Sequence, residues 1–479
     1  MNIGMILYFL GWVLGIEGVL MILPCVIAVI FGEMNGFYFL GIGLFCGITG
    51  WLLAHKKPKS TVFYAKEGFV SVALSWIILS FFGALPFYFS GQIPVFEDAL
   101  FEVISGFTTT GASILAAVEP LDKCMLMWRS FTHWIGGMGV LVFILAVLPL
   151  AGGYNIHIMR AESPGPSVGK LVPKVKATAK ILYLIYFSMT MLQIFILLFS
   201  GMPWFDSIAM SFGTAGTGGF GILNDSCGSY TTFQQAVFTV FMILFGINFN
   251  VYYLFLIKKP KDALHCEEMR VYLGIILAST LFIAWNIRGY FPSILQALHH
   301  SAFQVASIIT TTGYSTVDFD VWPGFSKSIL VCLMFVGACA GSTGGGIKVS
   351  RIAIAFKTVK KELSSLVHPR SVKVLKYEGK VIEHTVLRSI NTFLIAYMLI
   401  FTVSVLFISL DNLDLTTNFT AVAATLNNIG PGLNEVGPAC NFGLLSTFSK
   451  YVLMFDMLAG RLELFPMLLL FSPRTWMKE

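Results

Sequence analysis

Four short stretches of this 479-residue chain carry residue types that bind a cation without a charged ligand. Residues 101–113 read FEVISGFTTTGAS and residues 303–315 read FQVASIITTTGYS, matching at a constant offset of 202. Fainter copies stand at 211–221 (SFGTAGTGGFG) and 421–432 (AVAATLNNIGPG). Aligned on Gly111, Gly219, Gly313 and Gly430, each copy has a small residue six positions earlier: Ser105, Gly213, Ser307 and Ala424. Each also follows or overlaps a short apolar run, near 97–107, 203–215, 294–309 and 415–426. Such runs are too short to cross a bilayer and suit helices that enter from one face and stop.

The chemistry this pattern offers is coordination by oxygen. An extended strand at membrane depth has unpaired carbonyls, tolerable only where they line water or hold an ion. Four such strands around one axis would present carbonyls that replace the water shell of a monovalent cation. Glycine permits the backbone angles that turn those carbonyls inward. Each short helix aims the partial negative charge of its C-terminal end at the strand. The expected cation ligands are Thr109, Thr110, Gly111 and Ala112, then Gly218, Gly219 and Phe220, then Thr311, Thr312, Gly313 and Tyr314, and last Asn428, Ile429 and Gly430. The hydroxyls of Thr109, Thr110, Thr311 and Thr312 add further oxygens. In the irregular second copy, TAGTGGFG, either Gly216 or Gly218 could take the place given to Gly219. A T-T-T-G turn at a helix end is commonplace; four copies after four sub-spanning helices favour a pore.

Two more features fall at the same depth. GACAGSTGGGIK (337–348) interrupts a long apolar run at 326–357, and its five glycines, at roughly 1 kcal/mol each, cannot continue a stable helix. A phosphate-binding loop needs G-x-x-x-x-G-K-[ST]; Gly341 and Gly346 have that separation, but Ile347 precedes Lys348 and Val349 follows it. Nucleotide binding is therefore rejected here. A flexible intramembrane loop below the strands, carrying Gly341, Ser342, Thr343, Gly344, Gly345, Gly346 and Lys348, fits the segment; a packing kink is the alternative. Arg461 lies in the last apolar run, where a charge is costly and marks a functional site. It either faces the cavity, repelling a cation or anchoring the loop, or pairs structurally with Asp456 or Glu463. Arg129 and His133, four apart, are given no chemical role.

The elements that must position these residues follow from composition. Hydrophobic residues are 56%, charged residues 12%, and mean hydropathy is +0.80; no soluble fold hides so much apolar surface. Spanning runs fall at roughly 4–32, 36–54, 68–90, 124–150, 180–201, 232–257, 271–290, 326–357, 385–410 and 447–471. With ten crossings and a cytoplasmic N-terminus, the inner loops hold 25 Lys and Arg against 9 acids, and the outer segments 3 against 12. That asymmetry places both termini in the cytoplasm. The outer acids Asp98, Glu102, Asp206, Asp318, Asp320, Asp411 and Asp414 would concentrate cations at the mouths, or simply reflect outer loops that lack Lys and Arg. The net charge of +6 is modest and gives no nucleic-acid signal. Cys25, Cys46, Cys124, Cys227, Cys266, Cys332, Cys339 and Cys440 are scattered without metal-ligand spacing. No Ser/His/Asp set or H-E-x-x-H motif points to an enzyme.

These motifs resemble the Trk/Ktr/HKT superfamily of potassium uptake proteins, and most closely its bacterial TrkH type. The resemblance rests on GALPF (83–87), SGFTTTGAS (105–113), HWIGGMGV (133–140), RAESPGP (160–166), TTTGYST (310–316), CAGSTGGGIKVSRI (339–352), VHPRSVK (367–373), ATLNNIGPGLN (424–434) and GRLELF (460–465). It implies that the 337–348 loop is a gate and that Arg461 faces the cavity. It also implies a homodimer in the bacterial inner membrane, with a cytosolic nucleotide-binding regulatory subunit, a TrkA-like ring. The expectation is an all-α polytopic membrane protein with four pseudo-symmetric helix–pore-helix–helix repeats around one pore. An extra N-terminal pair (1–60) precedes repeats at 61–160, 161–262, 263–376 and 377–479. The expected function is potassium uptake through a gated selective pore, with potassium as cargo, no covalent cofactor, and lipid and the regulatory ring as partners. A proton- or sodium-coupled symporter is the alternative.

Overall fold

The computed structural model describes residues 1–56, 58, 64–139, 175–368 and 374–477. It is helical throughout, and the sheet among the described residues is a two-residue hairpin, β1 (Lys376–Tyr377) antiparallel to β2 (Lys380–Val381). At the N-terminus α1 (Ile3–Leu20) runs through Met21 into α2 (Ile22–Phe31), and α3 (Gly36–Ala54) packs back on α1. Glycines set this contact: a methyl group on Gly18 would meet the Gly43 carbonyl, and one on Gly50 the backbone of Gly11 and Gly15. Small residues let membrane helices approach closely where no hydrophobic drive pulls them together.

The rest repeats one order of elements. A long helix leads to a short buried one, an extended segment follows, and another helix leaves. The first set is α4 (Ala65–Phe89), α5 (Phe96–Phe107) and α6 (Lys123–Gly137). The second is α7 (Val175–Phe199), α8 (Trp204–Gly216) and α9 (Thr232–Phe245), which is followed by α10 (Phe249–Leu256). The third is α11 (Glu267–Ile287), α12 (Ile294–Ile309) and α13 (Gly324–Val336), followed by α14 (Val349–Val367). The fourth is α15 (His384–Ile408), α16 (Leu415–Leu426) and α17 (Thr447–Arg461), followed by α18 (Phe465–Phe471). The short helices α5, α8, α12 and α16 have 12, 13, 16 and 12 residues, below the roughly 20 a crossing needs. Their last turns are fully buried, whereas Val29, Phe199 and Leu277 stand exposed on the outside, as lipid-facing side chains do.

Ten crossings were expected, one of them interrupted at 337–348, and six helices among the described residues have the length and apolarity for one, or seven if a bent pair counts. Three of the remaining runs are broken rather than short. The run at 232–257 bends by 88° between α9 and α10. The run at 326–357 is split by the glycine-rich loop, and that at 447–471 breaks where Glu463 and Leu464 turn left-handed (φ 55° and 69°). Backbone groups freed by a break at membrane depth must find partners inside the protein. Here the first two breaks answer each other: Cys339 N–H donates to Gly246 C=O at 3.1 Å, and Phe249 N–H to Gly341 C=O at 3.0 Å. Residues 140–150 of the run at 124–150, the RAESPGP motif and residues 369–373 of the VHPRSVK motif lie outside the described residues.

Candidate functional site

All four short helices stop in the same way. The N–H groups of Thr109, Thr217, Thr311 and Asn428 reach back to the carbonyls of Gly106, Thr214, Ile308 and Thr425 at 3.0–3.1 Å. The next N–H groups, of Thr110, Gly218, Thr312 and Ile429, reach Ser105, Gly213, Ser307 and Ala424 at 2.8–2.9 Å. This two-bond stop places a left-handed residue just past the helix, a position that glycine usually fills. Here it is threonine three times (φ 56°, 53° and 58°) and asparagine once (φ 56°). A β-branched residue held there is strained, and strain of this kind concentrates at functional sites. Two residues on, Gly111, Gly219, Gly313 and Gly430 are left-handed as well (φ 78°, 81°, 87° and 101°). Alternating handedness gathers successive N–H groups on one side of the chain and leaves the carbonyls to face the other way.

The four segments stand side by side in chain order and close on themselves. A methyl group on Gly111 would run into the carbonyl oxygen of Gly218, one on Gly219 into that of Thr312, and one on Gly313 into that of Ile429. One on Gly430 would stand 2.8 Å from the Thr110 carbonyl oxygen. In this geometry Gly219, rather than Gly216 or Gly218, is the counterpart of the other three glycines. A cavity of about 140 Å³ is lined by Gly111, Ala112, Gly219, Phe220, Gly313 and Gly430. The side chains of Tyr314 and Phe220 point elsewhere: the Tyr314 hydroxyl donates to Met210 C=O at 3.1 Å, and the Phe220 ring lies 4.3 Å from that of His133.

The threonine hydroxyls are engaged with neighbours. Thr110 Oγ1 is 2.8 Å from Thr108 Oγ1 and accepts from Asn428 Nδ2 at 2.9 Å. Thr312 Oγ1 is 2.8 Å from Thr310 Oγ1. Thr311 Oγ1 accepts the Gly345 N–H at 2.6 Å, and Thr109 Oγ1 accepts from Arg461 Nη1 at 3.1 Å.

Those last two bonds lead to the glycine-rich loop, which lies against the inner ends of the third and fourth segments. Gly346 N–H donates to Asn427 C=O at 3.1 Å. A side chain on Gly344 would crowd Thr310 C=O at 2.8 Å, so the loop reaches the segments only as bare backbone. Ala340 N–H donates to Glu268 Oε1 at 2.7 Å, and the Lys348 ammonium donates to Gly344 C=O. Arg461 donates to Thr343 C=O at 2.9 Å, to Gly136 C=O at 2.5 Å and to Gly137 C=O at 2.9 Å, with Trp76 beside it at 5.9 Å. The cation therefore ties the loop to α6 and to the first segment. Neither expected structural partner holds it: Glu463 pairs with Arg351 at 2.6 Å, and Asp456 accepts from Ser404 at 2.8 Å. A second cavity, of about 80 Å³, lies beside the glycine-rich loop, lined by Trp76, Gly137, Ser342, Gly345, Lys348 and Arg461 among others.

Three residues given no role in the ring have one in its framework. Arg129 forms a buried ion pair with Glu102 at 2.7 Å behind the first two segments. His133 Nε2 accepts the Phe220 N–H at 3.2 Å, so its Nδ1 carries the proton and donates to Gly106 C=O at 2.8 Å. An arginine inside a membrane run, with an acid in the preceding short helix, was the available signal.

The outer acids are mostly committed to structure rather than open to cations. Besides Glu102, Asp98 pairs with Lys450 at 2.6 Å and Asp320 with Lys327 at 3.4 Å. Asp318 accepts from Asp320 N–H at 2.9 Å and Asp411 from Ser446 N–H at 3.0 Å. Asp414 caps α16, and its bond from the Thr417 hydroxyl, with the N–H groups of Thr417 and Thr416, holds its carboxyl below the usual carboxylate range. Glu33, Asp122 and Cys124 lie within metal-binding reach of one another. The Glu33 carboxylate, however, accepts the N–H groups of Lys123 and Cys124 at 2.7 and 2.9 Å, a cap for α6.

Comparison with known proteins agrees with this architecture. The family model for TrkH, a cation transport protein, matches residues 37–285 and 277–478. The Trk system potassium uptake protein TrkH of Salmonella typhimurium is 37% identical over 470 residues, 95% of each chain. The Trk system potassium uptake protein TrkG of Escherichia coli is 32% identical over 484 residues, 99% of each chain. The crystal structure of the potassium transporter TrkH from Vibrio parahaemolyticus matches with a TM-score of 0.90 at 33% identity, covering 100% of both chains.

Proposed function

The chain belongs to the TrkH family of cation transport proteins, and from that premise we propose that it takes up potassium through a gated, selective pore as the membrane subunit of a Trk-type system. The family is one of transporters, not enzymes. One observation carries the reading: four left-handed glycines in four neighbouring segments, each abutting a carbonyl of the next.

In this reading the backbone carbonyls of Thr109 to Ala112, Gly218 to Phe220, Thr311 to Tyr314 and Asn428 to Gly430 replace the hydration shell of potassium. The four helix C-termini add negative potential. Potassium runs down its electrochemical gradient, helped by about 2.3 kcal/mol per charge for every 100 mV of inside-negative potential. Rubidium and caesium permeate too, and a single glycine-centred ring, against the longer TVGYG strand of potassium channels, leaves discrimination against sodium imperfect. The loop from Gly341 to Lys348, pinned by Arg461, is the gate. The four repeats at 61–160, 161–262, 263–376 and 377–479 surround the pore, with the pair at 1–60 outside it. The protein sits as a homodimer in the bacterial inner membrane with both termini cytoplasmic, and a cytosolic nucleotide-binding, TrkA-like ring moves the gate.

Potassium and sodium flux into liposomes containing the purified protein tests this against the symporter. Flux that follows the potassium gradient and voltage alone is expected. Flux that appears only with an imposed proton or sodium gradient would replace the pore with coupled transport.

A further inference from the structure

We propose that Glu102 and Arg129 are positioning residues that set how strictly the ring distinguishes potassium from sodium, an inference that rests on the pore reading above. The Glu102 carboxylate is fully buried. It accepts from Ser113 Oγ at 3.0 and 3.1 Å, from the Ile114 N–H at 3.0 Å, and from Arg129 Nε and Nη2 at 2.8 and 2.7 Å. The same guanidinium donates through Nη1 to Gly221 C=O at 3.1 Å and lies 4.1 Å over the Phe220 ring. Ser113 and Gly221 occupy equivalent places, each two residues beyond its ring glycine, Gly111 or Gly219. One ion pair therefore fixes the outer ends of both segments from behind.

Stability alone is a poor reason to bury such a pair. Desolvating two charges costs several kcal/mol per ion, and well-packed apolar side chains often stabilise as much. An apolar pair cannot direct charge-assisted hydrogen bonds onto two backbones at once, and such bonds are short and stiff in a low-dielectric interior. A carbonyl ring that cannot contract holds potassium and serves the smaller sodium ion poorly, so stiffness at this point acts on selectivity. The brace is local. At the positions corresponding to Glu102 and Arg129, offset by 202, the third copy has Gln304 and Val331. Gln304 Nε2 reaches only Val317 C=O, at 3.5 Å. Ala421 stands at the Glu102 position of the fourth copy.

The test is the ratio of potassium to sodium flux in liposomes for wild type, Glu102→Gln and Arg129→Lys, at matched amounts of folded protein. Arg129→Lys keeps a positive charge opposite Glu102, so the pair still neutralises itself, but a point-charge ammonium loses the fork that reaches Gly221 and the stack on Phe220. The ratio is expected to fall about tenfold in Arg129→Lys, equivalent to roughly 1.4 kcal/mol of discrimination, with potassium flux retained. Glu102→Gln should fall at least as far if it folds; if it does not, Arg129→Lys decides. A folded, conducting Arg129→Lys with the wild-type ratio overturns the inference. Wild type without any preference for potassium overturns the pore reading itself, before the brace is reached.

Discussion

The first and second segments of the ring lean on side chains of α5 and α6, whereas the third and fourth lean on the glycine-rich loop. Behind the first two stand the Glu102–Arg129 pair and His133, all buried in α5 and α6. Beneath the last two stand Gly345 N–H on Thr311 Oγ1 and Gly346 N–H on Asn427 C=O. Among the described residues the fourth segment has neutral side-chain support: Asn428 Nδ2 donates to Met457 C=O at 2.9 Å, and the Tyr397 hydroxyl to Asn427 Oδ1 at 3.0 Å. Charge-assisted bonds hold one half, and bonds to the loop proposed as the gate hold the other. A ring built this way can release its loop from one side while the opposite side keeps its shape. Among the links between the halves, Asn428 Nδ2 donates to Thr110 Oγ1 at 2.9 Å, and Arg461 touches Thr109 on one side and Thr343 on the other.

Substitutions should therefore separate selectivity from opening. The largest effect is expected where one segment of the ring abuts the next. Gly313→Ala puts a methyl group against the Ile429 carbonyl at a residue with φ 87°, where the left-handed backbone alone costs an L-residue about 1–2 kcal/mol. Potassium flux in liposomes should drop to background, and wild-type flux would break the closed-ring account.

Thr311→Val comes next. It leaves the Gly345 N–H without its acceptor, a buried donor worth about 1–3 kcal/mol, and frees the loop without touching the brace. Potassium flux should rise about tenfold at an unchanged potassium-to-sodium ratio, the reverse of Arg129→Lys. A Thr311→Val protein that loses selectivity instead would erase the distinction between the halves. Glu268→Gln should act in the same direction but more weakly, because the amide oxygen still accepts from Ala340 N–H while losing the charge-assisted part of that bond.

The smallest effect is expected at Asp414, far from the loop. Asp414→Ala removes the α16 cap and about 1 kcal/mol of stability, read as a lower melting temperature in detergent near neutral pH. The Asp414 carboxyl titrates lower folded than unfolded. Its contribution is thus full above the unfolded carboxylate pKa and is lost as pH falls through the folded one. The melting temperatures of variant and wild type should converge in acid, and a gap that persists there would show that the cap acts without its charge.

The glycine-centred segments were legible in sequence because no other residue fits where one backbone abuts the next. Their order around the ring was not, since it depends on contacts between segments far apart in the chain. The second segment was ambiguous for a local reason. TAGTGGFG offers several glycines, and only the alternation of handedness at Thr217 and Gly219 selects one. Hydropathy found the apolar runs and the glycines marked the break at 337–348, but the breaks near 246–248 and 462–464 went unread, because composition does not report a carbonyl such as that of Gly246 bonding across to Cys339. Most of the outer acids, read by location as a cation-attracting field or as loops lacking Lys and Arg, stand in caps and ion pairs, a matter of which N–H or ammonium lies within reach. Arg129 and Glu102 were visible singly, and their significance came only with the 2.7 Å between them.

The most direct test of the gate is potassium flux, with sodium measured beside it, through purified wild type and Arg461→Ala in liposomes. Removing the guanidinium takes away the bonds to Thr343, Gly136, Gly137 and Thr109 together. The account predicts several-fold higher potassium flux in the variant, with the potassium-to-sodium ratio held by the intact brace. A folded Arg461→Ala protein that conducts no more than wild type would contradict it.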